Sequence, residues 1–457
     1  MKKNIAFLLT LLVLLSMLAG CTKQAAVPTA ETPAAPTEEK TVEGKDTEKA
    51  LGEEQAKEAV ELNILWATEN NFPGFEDFIT EYEEKTRNTV DIQFYPATDY
   101  SAIITTKMMA GEGPDIFRTD GINLLGMWPM EWFADLSSEE WIGRLTSGGL
   151  ANLTWTDGKI YQAPLQPLGP IGVCYNKDTL AAAGITELPK NWSEFKEACQ
   201  KLKDAGYIPY NLQLASGNEF GATQMYKTGW MNMYIEMGTD GLAQFIDDYK
   251  TNKVKMADNA TMELVLDQIL ELRDLGFYNE DYLSTTMEMT SQRLGSGECG
   301  FTTGGEWALS GLMEDYPDCN IGVMPLPVGD SQGAIIVSPG VGMAVNANSA
   351  KLEAAKEFVA MWCSAEWQNK YAALNPGTPW FSDVTSEGNK LTADTTYWVS
   401  ENRAFPTFNG AMQIFPEMES RPLMQELLLG SLDAKGYLQA LDDAAEVIAV
   451  GKGLPGW

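Results

Sequence analysis

Trp66-Ala-Thr-Glu69-Asn70-Asn71 places a carboxylate and two carboxamides just behind an indole. That set suits a polyhydroxylated ring. An aromatic face lies against C–H bonds while carboxylates and amides take the hydroxyls. The segment follows Val60-Glu-Leu-Asn-Ile-Leu-Trp66, an apolar run that reads as a strand buried on both faces. Asp120 follows a second short run, Asp115-Ile-Phe-Arg-Thr119. Ligands of open α/β sheets sit beyond the carboxyl ends of strands, so Trp66, Glu69, Asn70 and Asp120 are candidate contacts. Asp120 is equally placed to cap a following helix. Trp230 and Trp380 extend the aromatic supply in a chain with 13 tryptophans, although any one tryptophan is more often a core residue.

The 457 residues include no histidine. This excludes a Ser-His-Asp triad, a Cys-His dyad, an H-E-x-x-H zinc site and a histidine proton shuttle. A pair of carboxylates, which suffices for glycoside hydrolysis, stays available. Gly295-Ser-Gly297-Glu-Cys-Gly300 fits G-x-G-x-x-G, but it leaves a helix and enters a strand, the reverse of the dinucleotide-binding order. There is no Walker-type G-x-x-x-x-G-K, EF-hand loop or C-x-x-C pair, and no cofactor or metal is expected. Besides Cys21 the chain has Cys174, Cys199, Cys299, Cys319 and Cys363, an odd set that reads mainly as small buried hydrophobes. A Cys299–Cys319 disulfide stays open. With 64 Asp+Glu against 32 Lys+Arg, the net charge of -32 repels nucleic acid and anionic headgroups.

The elements that must position these residues alternate between strand and helix. Phe75, Phe78, Ile79 and Tyr82 lie on one face of a helix entered near Pro73. Val90, Ile92 and Phe94 alternate as a second strand, a helix runs to Met109, and Gly111 ends it. This βαβ order predicts a parallel sheet. Asp157-Gly158 predicts a two-residue hairpin turn. A second α/β segment opens at Ile171-Gly-Val-Cys-Tyr175. Its first helix is capped by Asn191 with Glu194 three residues on, striped by Phe195, Ala198, Cys199 and Leu202, and stopped by Gly206. Helices are expected over roughly 222–275, from Glu306, around Leu352–Trp362, and over 417–429 and 436–449. Strands are expected at 299–302 and 320–324.

At the amino end, Lys2 and Lys3 precede the apolar run Ile5–Leu18, a secretory signal too short to span a membrane. Leu18-Ala-Gly-Cys21 resembles the lipobox of bacterial lipoproteins, in which the cysteine left after cleavage carries acyl chains, palmitate among them. Thr22 to about Lys57 is rich in Thr, Ala, Pro, Glu and Lys and cannot bury enough surface to order itself, so it reads as a tether. The expected plan is a signal peptide over 1–20, a lipidated, disordered tether over 21–58 and a body large enough for two lobes.

The body resembles the family 1 extracellular solute-binding proteins, the sugar-binding lipoproteins of ABC importers. The resemblance rests on ordered landmarks: Gly111-Glu-Gly-Pro-Asp-Ile-Phe117, Gly158-Lys-Ile-Tyr161, Tyr175-Asn-Lys-Asp178, Ala183-Gly184 and Asn191-Trp-Ser-Glu-Phe195. Lys201-Leu-Lys-Asp-Ala-Gly206, Gly305-Glu-Trp307 and Ala354-Ala-Lys-Glu-Phe358 complete them. It implies an α/β, two-lobed periplasmic-binding-protein-like fold of class II type, with a hinge and an inter-lobe cleft. The N-terminal lobe would be 59–165 plus 328–370, and the C-terminal lobe 166–327 plus 371–457. The chain would cross near Ala163–Pro170, Pro325–Val328 and Cys363–Pro376, with Pro164 and Pro167 stiffening the first strap. Gln166 on that strap, and Glu306 and Trp307 in the Gly-x-Trp element, become ligand contacts. The implied partners are a carbohydrate and the membrane subunits of an ABC permease. The implied protein is a non-enzymatic monomer anchored through Cys21 on the outer face of a Gram-positive cell membrane. A carboxylate-pair glycosidase, or a sugar-binding sensor or adhesin component, is the alternative. Few Lys or Arg fall in the cleft segments, which favours a neutral ligand.

Cys21→Ala should release the protein from the membrane fraction with its thermal melting unchanged, because the acyl chains are the anchor. Recovery of the variant in the membrane pellet would contradict the lipobox reading.

Overall fold

The computed structural model describes residues 58–457 apart from 120–127, 156, 218, 306–311, 314 and 339. The signal, the tether and Cys21 lie outside the described residues, as does the expected start of a helix at Glu306.

Two mixed sheets organise the chain. The first has the order β2-β1-β3-β10-β4: β2 Thr89–Tyr95, β1 Glu61–Ala67, β3 Ile116–Thr119, β10 Gly342–Val345 and β4 Ala163–Pro164. The expected parallel pairing holds for β1 with β2 and β3, whereas β10 runs antiparallel to β3 and β4. The second has the order β11-β9-β5-β7-β6, with β8 also on β5. Here β5 spans Gly169–Asn176, β6 Ile208–Asn211, β7 Cys299–Gly305, β8 Ile321–Met324, β9 Ile335–Ser338 and β11 Ala404–Phe405.

Helices fall where the apolar periodicity places them. Helix α1, Phe75–Thr86, buries Phe78 and Tyr82, and α2 covers Ala97–Met109. Helix α3, Trp192–Asp204, starts at the expected cap: Asn191 Oδ1 accepts the Glu194 N–H at 2.9 Å, and Glu194 Oε2 reaches back to the Lys190 N–H at 2.8 Å. Its stripe Phe195, Ala198, Cys199 and Leu202 is buried. The helical stretch after β6 divides into α4 Phe220–Trp230, α5 Asn232–Lys250 and α6 Ala260–Asp274. Later come α7 Met287–Ser296, α8 Leu352–Trp362, α9 Ala365–Leu374, α10 Thr392–Ser400, α11 Ser420–Leu429 and α12 Ala434–Gly451. Among the described residues no helix is long and apolar enough to cross a membrane. Cys174, Cys199, Cys299, Cys319 and Cys363 are buried and unbonded, so the Cys299–Cys319 pairing is not made. Burial pushes the Cys174 thiol up to about 12, far from reactive thiolate.

The chain passes between the sheets in three places. The first lies between β4 and β5, inside the expected Ala163–Pro170. The second does not fall at Pro325–Val328. The chain first adds β9 to the second sheet, pairing Val337 with Pro170, and crosses only between Ser338 and Gly342. The third is also later than Cys363–Pro376. Residues after α9 stay on the first lobe, where Phe381 pairs with Leu145 and Arg144 Nε donates to Asp383 at 2.7 Å. Helix α10 is in the second lobe, its Trp398 indole donating to Val323 O at 2.8 Å. We therefore place the lobe boundaries later than the sequence does, near 340 and between 383 and 392.

Trp362 is the centre of the first-lobe core. It is fully buried, its ring lies 5.1 Å from Phe78 and 4.8 Å from Tyr371, and its indole donates to Pro164 O at 2.8 Å. Trp362→Ala should cost about 3–5 kcal/mol in denaturant unfolding. A loss below about 1 kcal/mol would show that this ring is not the keystone of the packing.

Candidate functional site

Strand direction locates the site. Gly342, the first residue of β10, pairs with Thr119, the last of β3, and β1 runs parallel to β3. The carboxyl ends of β1 and β3 therefore lie at the edge where the chain crosses. In the second sheet Gly169 pairs with Ser338 and Ile171 with Gly305, the last residue of β7, while β6 runs parallel to β7. The carboxyl ends of β6 and β7 thus lie at the same crossing edge. Two sets of strand ends face each other across the crossings, the arrangement in which α/β sheets bind ligands.

On the first-lobe side, Glu69 is exposed at the end of β1 and its carboxylate accepts the Ala97 N–H at 2.9 Å, at the start of α2. Asn70 is half-buried, and its Oδ1 is shielded from solvent with no hydrogen-bond partner among the described residues. A buried acceptor left unpaired costs free energy that a ligand donor can recover. The fully buried Thr119 hydroxyl donates to Gln162 Oε1 in a short contact. Nothing in the sequence marks this pair, because Gln162 sits in irregular backbone just before β4 with no chemical pattern of its own. Asp120, Glu306 and Trp307 lie outside the described residues.

The remaining tryptophans do other work, and the sequence expectation for them is corrected. Trp66 is 0% exposed, stacked on Phe75 at 4.8 Å, with its indole donating to Asn70 O at 2.9 Å. Its place was encoded in the alternation of β1: Leu62, Ile64 and Trp66 share the face that packs into the larger core, and Leu65 and Ala67 the opposite one. Trp230 is also 0% exposed, 4.4 Å from the Tyr226 ring and 6.1 Å from Phe415. Tyr226 lies one turn earlier on α4, so the spacing marks a core stripe. Trp380 is buried at the crossings, its indole donating to Gln166 O. Gln166 Oε1 is itself engaged, accepting the Val341 N–H at 2.9 Å. None of the three rings offers a face to a ligand in this arrangement.

Paired charges brace the second-lobe wall. Lys227 on α4 is 3% exposed and donates to both Glu417 oxygens at 2.5 and 2.7 Å, joining α4 to the segment before α11. An unpaired ammonium there would be costly, so the contact is a brace and not a free charge for ligand. At the end of β6, Asn211 donates to Thr290 Oγ1 at 2.9 Å and accepts from Arg293 at 3.0 Å. Arg293 also grips Asp281 at 2.7 Å and holds that carboxyl well below the usual range. Among the described residues no group of three or more metal-ligating side chains is gathered.

The family profile described as bacterial extracellular solute-binding protein matches residues 66–369. The chain belongs to that family. A multiple sugar-binding protein of Streptococcus mutans is 22% identical over 307 residues, 65% of this chain and 69% of that protein. A melibiose/raffinose/stachyose-binding protein of Bacillus subtilis is 23% identical over 316 residues, 67% of this chain and 70% of its own length. A sugar transporter of Bacillus licheniformis solved in complex with stachyose superposes with a TM-score of 0.66 at 20% identity, covering 85% of this chain and 99% of that one. Members of this family are binding proteins.

Trp230→Ala tests the core assignment. It should lose about 3–5 kcal/mol of unfolding free energy. A variant that unfolds like the parent would return Trp230 to the candidate ligand contacts.

Proposed function

We propose that this chain captures a neutral sugar or oligosaccharide by closing its lobes around it and delivers it to an ABC permease, while acyl chains on Cys21 hold it to the outer face of the membrane. The observation that carries this reading is the opposition of the β1 and β3 ends to the β6 and β7 ends across the crossings. A ligand touching both sets favours the closed arrangement by its differential affinity for it. The sugar assignment follows what the relatives are named for binding, and it fits the supply of amides and carboxylates at these ends. Glu69, Asn70, Asp120, Glu306 and Trp307 remain the proposed contacts. Asn70 Oδ1 gains the donor it lacks, and Trp307 offers the flat ring that the buried tryptophans cannot. The receptor acts as a monomer, since one chain supplies both walls of the cleft.

A thermal-shift screen across mono- and oligosaccharides tests the reading. A ligand at 100 times its Kd should stabilise the fold by about 2.7 kcal/mol. For the best hit, Trp307→Ala should weaken binding tenfold to several hundredfold, on the order of one stacked ring with its buried area, without lowering the melting point of the free protein. A library in which nothing raises the melting temperature would contradict saccharide binding. Shortened products after incubation with oligosaccharide would replace the receptor with an enzyme.

A further inference from the structure

Gln166, on the first crossing, bonds both to Val341 of the second crossing and to Trp380 of the segment after α9. Its N–H points at Val341 O at 3.4 Å, beside the Leu165 N–H, which donates to the same carbonyl at 3.0 Å. Its side-chain Oε1 accepts the Val341 N–H at 2.9 Å. Its carbonyl accepts the Trp380 indole N–H from the segment after α9 that leads toward the third crossing. Main-chain bonds could be made by any residue at 166, but the side-chain bond could not. We infer that Gln166 is a positioning residue, the pin of the hinge, and that its carboxamide bond to Val341 sets how readily the lobes open and close, and hence how tightly ligand is held. The inference rests on the closure reading above.

The surroundings support a pin over a ligand contact. Pro164 and Pro167 fix φ on either side, so the torsions left free in this stretch are mainly those of Leu165 and Gln166. A side-chain bond from Gln166 to the neighbouring strap restrains those torsions. Gly340 has φ +58°, and a Cβ there would come within 2.7 Å of Gln166 Oε1, so the second strap leaves room for the carboxamide. Leu165, Val341 and Trp380 are buried, and in such surroundings an amide left without its acceptor is costly. The side chain that the sequence pattern offered to a sugar is thus already committed to Val341.

Two substitutions separate the roles. Gln166→Met keeps length and bulk but removes the acceptor, whereas Gln166→Glu keeps an oxygen in its place. Spin labels at exposed Glu84→Cys and Gln200→Cys, one per lobe, report the inter-lobe distance. In the ligand-free protein Gln166→Met should widen the distance distribution, and Gln166→Glu should restore it. With the best saccharide from the screen, Gln166→Met should weaken binding about three- to tenfold, because a looser hinge must be ordered on closing. Gln166→Glu should bind within about twofold of the parent. Unchanged distances and affinity in Gln166→Met, even with a lower melting point, would overturn the pin and leave Gln166 a packing residue. If the parent binds no saccharide, the closure reading fails, while the ligand-free distances still decide the pin.

Discussion

Main-chain hydrogen bonds between the crossings are the constraint on which the rest of the molecule depends. Leu165 N–H donates to Val341 O at 3.0 Å, and Leu168 N–H donates to Thr378 O at 3.0 Å. Segments far apart in sequence become a narrow strip in which the first crossing lies against the second and against the 378–380 run that precedes the third. Such a strip can bend or twist, but its members cannot slide without breaking bonds in a buried setting. The strip also fixes which strand ends meet, because β4, β5, β9 and β10 leave it in set directions. Opposed carboxyl ends, and therefore a cleft, follow from that pairing.

Rigid walls complement the mobile join. Arg144 holds Asp383 through two nitrogens at 2.7 and 2.8 Å and lies 4.8 Å from the centre of the Phe381 ring, fastening the start of the third crossing to the first lobe. Lys227 with Glu417, and Arg293 with Asp281, brace the second lobe near β6. Exposed pairs of this kind add little stability, and the buried Lys227 pair offsets its own desolvation. Their effect is to tie α4 to the segment before α11 and α7 to Asp281.

Local chemistry made much of the fold legible. The spacing of Phe75, Phe78 and Tyr82 and the Asn191–Glu194 cap each specify an element from a few neighbouring residues, and each is present. The expected two-residue turn at Asp157-Gly158 is instead a longer loop, with the Trp155 N–H donating to Lys159 O at 2.7 Å and Gly158 at φ +81°. The structure places the second and third crossings later than the sequence does because their positions depend on long-range partners such as Leu145 with Phe381. Nothing local to either residue announces that pairing. Trp66, Trp230 and Trp380 were offered to the ligand for their chemistry, although for Trp66 and Trp230 the two-residue and four-residue periods already assigned the rings to the core. Gln166 was read as a contact for the same reason, and only the geometry of the strip shows that its oxygen is engaged. Of the residues proposed to face ligand, Glu69 and Asn70 are at the expected strand end, whereas Asp120, Glu306 and Trp307 lie outside the described residues.

Small-angle scattering from the purified protein, with and without a saturating saccharide, tests the central claim most directly. Closure of two lobes about a paired strip predicts a smaller radius of gyration with ligand and a fit by rigid-body rotation of the two sheets with their helices. An identical radius of gyration at saturation would contradict the account, because a ligand held at one lobe alone gains nothing from the facing strand ends.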